Sequence, residues 1–169
     1  SSLAQLRCCI ERLSTATDLA SLLDTLLDSL RDVFDIRHSM VLMREPTGEA
    51  LHTVASRGYA ASGATRLGVT AGIDSAIPFP GLPESQSQVA VPIVAGERLL
   101  GVLFAESTET GRFGYDEEDA LVVLARHVGT VAAMLEEGEA TASDRPVTRA
   151  AAPAPRGAPI RVRRYAEND

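Results

Sequence analysis

The sequence holds few residues of the kinds that do chemistry, and they are scattered. Its three histidines, His38, His52 and His127, fall on two strand-like segments and one helix-like segment. No His-Glu-x-x-His or Cys-x-x-Cys spacing joins them, so no metal site is expected. Ser75 and Ser107 lack the Gly-x-Ser-x-Gly setting of an exposed nucleophile. All 16 basic residues are arginine, which excludes Schiff-base chemistry and a P-loop lysine. Gly68, Gly72 and Gly81 make no phosphate cradle ahead of a helix. Cys8 and Cys9 are neighbours on a helix-like stretch, about 100° apart around its axis and poorly placed to bridge each other. The plain reading is a pair of reduced thiols in a cytoplasmic helix; the sharper one is a redox crosslink between protomers. No nucleophile, base or metal set converges, so the chain is not expected to be an enzyme.

Binding chemistry is easier to place. Residues 58–87 are rich in Gly, Pro, Ser and Ala, show no sustained period, and contain only Asp74 and Glu84 as acids. A stretch this long inside a domain is usually functional or hides short elements. Arg57 and Arg66 stand at its start, and guanidinium groups suit carboxylates and other oxyanions. Tyr59, Ser75, Gln86 and Gln88 add hydrogen-bonding groups, and His52 lies on a flanking strand. These seven residues are the candidate pocket, with a small, partly anionic ligand and no cofactor. The competing reading is that the arginines neutralise nearby acids.

These residues need a scaffold, and hydrophobic periodicity supplies one. Leu3, Leu6, Ile10 and Leu13 alternate at spacings of three and four, the seam of a short coiled coil and the expected dimer interface. Asp18 or Thr17 caps a second helix whose apolar face runs from Leu19 to Phe34. His38 to Arg44 and Leu51 to Arg57 read as a hairpin about a Glu45-Pro46-Thr47-Gly48 turn. Gln88 to Val94 and Arg98 to Ala105 read as a second hairpin, turning at Ala95-Gly96-Glu97. Pro92 implies an edge position or a bulge, because it removes a ladder donor. Asp116 caps a last helix with Leu121, Leu124, Ala125, Val128, Val131, Ala132 and Leu135 on its apolar face.

Composition divides the chain. Residues 3–137 form one domain, and 138–169 read as a flexible Ala-, Pro- and Arg-rich linker toward an output domain, with Ile160 to Tyr165 able to begin a further strand. Overall net charge is −7. Of this, the first 137 residues carry −9 and the remainder +2. An acidic body repels nucleic acid and anionic membranes, so neither is an expected partner. No apolar run approaches the roughly 18 residues of a membrane span, and no signal peptide is visible.

Two segments carry a family resemblance. VAVPIVAGERLLGVLFAES, residues 89–107, resembles the GAF-domain hairpin, including Pro92 and Gly101. RFGYDEEDALVVLARHVGTVAAML, residues 112–135, is similar to the family's closing helix and the turn before it. With the entry helix, the likeness covers residues 3–136. It implies an α/β (α+β) fold: a central antiparallel sheet, terminal helices on one face, and a ligand pocket with its loops on the other. It also implies a homodimer through the terminal helices and a sensory role, here assigned to a transcription regulator. A dimerisation module with a degenerate pocket is the alternative. Cyclic-nucleotide members carry a pattern of which Phe113 and Asp116-Glu117 are present but the lysine is not. The loop cysteines of bilin-binding members and of methionine-sulfoxide reductases are absent from residues 58–87.

Overall fold

Leucine spacing and a well-built cap start the main entry helix. In this computed structural model, which describes residues 2–48, 50–59, 66–68, 82 and 84–142 (66–68 and 139–142 as backbone only), α1 spans Ser2–Leu13 and α2 spans Leu19–Phe34. Asp18 is the N-cap of α2: its carboxylate accepts from the Ser21 N–H, and the Ser21 hydroxyl accepts from the Asp18 N–H. Two backbone donors with no partner inside the helix are thereby satisfied reciprocally. That bonding holds the Asp18 carboxyl below the usual carboxylate range. At the other end Asp35 takes a left-handed conformation, and its N–H reaches the Leu30 carbonyl.

The chain then alternates at period two. Strands β1 (His38–Arg44), β2 (Ala50–Arg57), β3 (Arg66–Gly68), β4 (Ser87–Ala95) and β5 (Arg98–Ser107) form one antiparallel sheet in the order β3-β2-β1-β5-β4. β4 is an edge strand with a register irregularity between Ile93 and Val94. The proline at position 92 therefore lies where its missing donor is tolerated. β3 is the short element within residues 58–87.

Helix α3 spans Tyr115–Ala142 and packs on β4, while α1 lies against α2 and α3. Helices α2 and α3 cover one face of the sheet and α1 lies on them, over a core that includes Leu26, Leu30, Val41, Val91, Leu103, Leu121 and Leu124. Gly129 lets α3 approach so closely, since a Cβ there would fall on the Val94 carbonyl.

Several expectations shift in detail. Asp116 is in the first turn of α3 rather than its cap, because the helix already begins at Tyr115. Gly138 to Ala142 continue α3, so helix replaces linker over those five residues. Residues 143–169, with the segment Ile160 to Tyr165, lie outside the described residues. Among the described residues no helix is long and apolar enough to cross a membrane.

Candidate functional site

The sheet's second face is where the helices are not. Strand register sets side chains there in rows: Met40, Phe104 and Ala90 share one, and Leu42 and Val102 lie in the next. With Leu51 they form a separate buried apolar cluster, and Tyr59 packs against it. The next row outward is polar, since His38, Glu106 and Gln88 are register partners.

Glu106 stands out. Its residue is 2% exposed, on a strand otherwise apolar on this face. A buried carboxylate is costly unless donors surround it. Here Oε1 accepts from the Tyr59 hydroxyl at 2.9 Å and from the Leu82 N–H at 2.7 Å. Burial, together with the nearby Glu106 charge and the hydrogen bond to it, pushes the Tyr59 hydroxyl above the ordinary tyrosine range. Tyr59 is thus fixed as a neutral donor. Its ring meets His38 edge-on at 5.8 Å between centroids.

Gly58 makes this placement possible. With φ at +87° it turns the chain between Arg57 and Tyr59, and a Cβ there would fall on the Arg37 carbonyl. Tyr59 reaches Glu106, whereas Arg57 turns to α2. Arg57 Nε donates to Asp28 at 2.9 Å and Nη2 to Asp24 at 3.0 Å.

A cavity of about 330 Å³ opens at this end of the sheet, lined among others by Asp35, Arg37, His38, Glu106, Glu109 and Arg112. Arg112 is a structural pin in its wall. It holds both Glu117 oxygens at 2.7 Å and the Phe34 carbonyl at 2.6 Å. The loop before α3 is thereby tied to the end of α2.

The candidate residues divide accordingly. Tyr59 and Gln88 lie on the helix-free side with Glu106, and Gln88 donates to the Ser85 hydroxyl at 3.3 Å. Gln86 is exposed and serves through its backbone, which donates to the Ser107 carbonyl. His52 pairs in register with Met43, whose side chain packs toward the helices, so it is set on the opposite face. Arg57 neutralises acids of α2, as the competing reading had it. Arg66 is described only as backbone, in β3, and Ser75 lies outside the described residues. Glu106 was missed, although its signal was present: a single acid at period two from Phe104 in an apolar strand. His38 was missed as a neighbour of the site, being weighed only as a metal ligand.

The proposed seam also divides. Leu13 is buried in the chain's own core, Leu6 and Ile10 pack against that core, and only Leu3, 75% exposed, points outward. The reason is that α2 and α3 supply the partners α1 needs.

A family model described as GAF domain matches residues 18–134. The chain belongs to the GAF domain family. Solved structures agree on the fold. The GAF domain of a Coxiella burnetii phosphoenolpyruvate-protein phosphotransferase is 21% identical with a TM-score of 0.71, over 82% of this chain and 96% of that one. Its Acinetobacter counterpart is 17% identical with a TM-score of 0.67, over 82% and 97%. Free methionine-R-sulfoxide reductase from Neisseria meningitidis, solved with its substrate, is 17% identical with a TM-score of 0.69, over 79% and 89%. No curated protein sequence matches the chain. In this GAF domain both cysteines lie on α1, on the helix side of the sheet. Cys9 is fully buried, and burial, with the neighbouring Cys8 second, pushes its thiol up to about 11.

Proposed function

We propose that this GAF domain is a non-catalytic sensory module that holds a small molecule at the end of its sheet where Glu106 lies. The observation behind this reading is Glu106: a buried carboxylate, held by Tyr59 and a backbone N–H, in the wall of a cavity. The cavity it borders is lined mostly by polar and charged groups, among them Arg37, His38, Glu109 and Arg112, with Ile36 and Phe113 as its apolar members. The ligand is small enough for a cavity near 330 Å³ and presents a hydrogen-bond donor to Glu106. With Arg57 engaged by α2, a purely anionic ligand loses one of the two guanidiniums expected to hold it. The non-catalytic reading is supported by the two thiols, which sit away from the site, one of them in a protonated, buried state at neutral pH. We further infer that the domain works as a homodimer through its terminal helices, as the regulatory part of a transcription regulator.

A thermal-shift panel of small amines, amino acids and plain carboxylates tests the pocket. Amine-bearing compounds should raise the melting temperature, and Glu106→Gln should abolish the rise. Stabilisation by carboxylates alone, unaffected by Glu106→Gln, would restore the anionic expectation and remove Glu106 from the site.

A further inference from the structure

The outer face of α3 has a pattern that fits one partner. Asp116, Asp119, Val123, Arg126, Thr130 and Met134 are all exposed and recur every three or four residues, so they form one stripe facing away from the core. Val123 is 44% and Met134 64% exposed, two of only five large exposed apolar side chains among the described residues. Beside Val123 lies a groove of about 520 Å³, with Leu3, Leu6 and Ala120 on its apolar side and Asp116 and Asp119 on its acidic side.

The charges decide the orientation. Asp119 and Arg126 lie two helical turns apart, roughly 10 Å, with Val123 between them. If two α3 helices lay parallel about a two-fold axis, each Asp119 would face its own copy, and so would each Arg126. Turned antiparallel about an axis beside Val123, each Asp119 faces an Arg126. A two-fold interface requires a surface complementary to itself, and this stripe meets that condition only in the antiparallel sense.

We propose that two copies of this chain dock α3 against α3 in antiparallel orientation, the axis passing beside Val123, with Arg126 of each copy facing Asp119 of the other. This rests on the dimer reading above and adds its geometry. The Val123 side chain of one copy enters the groove of the other, and Leu3 closes its edge. The four charges at the rim set register and orientation, as interfacial charges commonly do.

Sedimentation equilibrium of the full chain, with Asp119→Arg, Arg126→Asp and the double variant, provides the test. All these side chains are exposed, so each variant should keep its fold, checked by circular dichroism. Each single reversal turns two attractions into two repulsions and should weaken the dimer about tenfold, while the double variant recovers most of the loss. In a background without Cys8 and Cys9, Val123→Cys should form an intermolecular disulfide under mild oxidation. A native chain still monomeric at about 200 µM, weaker than any working dimer, removes both the geometry and the dimer reading. A dimer indifferent to both reversals and uncrosslinked at Val123→Cys removes the antiparallel α3 geometry alone.

Discussion

Tyr59 and Glu106 show how one hydrogen bond can do two jobs. The phenol satisfies a buried carboxylate, and the carboxylate fixes the phenol as a donor. Tyr59→Phe leaves Glu106 with one donor fewer, and an unsatisfied buried polar group costs about 1–3 kcal/mol. Urea denaturation at neutral pH should show that loss. Two groups shifted by burial, Tyr59 and Cys9, set an alkaline limit. Tyr59 is raised above its ordinary 10.0, and Cys9 is raised from 9.0 to about 11. Groups with raised folded values stabilise fully below their unfolded values, and that stabilisation is lost as pH climbs through the folded ones. Stability should hold to about pH 9 and fall steadily by pH 11. A urea midpoint unchanged at pH 11 would show that neither group is buried as described.

Elements were legible in the sequence where periodicity was long. The leucines of α2, the alternation of β4 and β5 and the apolar face of α3 each specify their element, and Pro92 its edge position. Side-chain direction was less legible around residue 57. Arg57 and Tyr59 are two residues apart and would share a face in a regular strand, but the left-handed Gly58 sends them to opposite sides. Which face His52 takes was not legible either, because the β1–β2 register shifts between Val41 and Leu42 and so reverses strand parity between Arg57 and His52. Glycine also governs how the helices seat on the sheet. Gly129→Ala places a methyl on the Val94 carbonyl, which backbone cannot easily vacate. Overpacking of this sort costs about 1–3 kcal/mol, and α3 should lift from β4. Denaturant titration would show the loss, with amide exchange in β4 quickening. Ordinary stability in Gly129→Ala would mean that α3 and β4 are farther apart than described.

At the scale of the whole molecule, α1 is divided between two loyalties. Leu6 belongs to the chain's own core and Leu3 does not, so the two positions answer different questions. Leu6→Asp buries a charge against that core and should lower the melting temperature of the domain itself. Leu3→Asp should leave the melting temperature of dilute protein unchanged and weaken self-association, as sedimentation would record. If Leu3→Asp associates as the native chain does, Leu3 is not part of any interface.

The length of α3 has a mechanical consequence. Among the described side chains of α3 the last packed on the core is Leu135, yet the helix runs on to Ala142, and residues Glu136, Glu137 and Gly138 are exposed. Gly129, pressed on the Val94 carbonyl, is a natural fulcrum, and from there to Ala142 is about 20 Å of stiff rod. A tilt of about 10° at that fulcrum, too small to break the core, would sweep the far end through about 3–4 Å. The helix would then behave as a lever that magnifies a sub-ångström adjustment of the sheet into a displacement as large as a side chain.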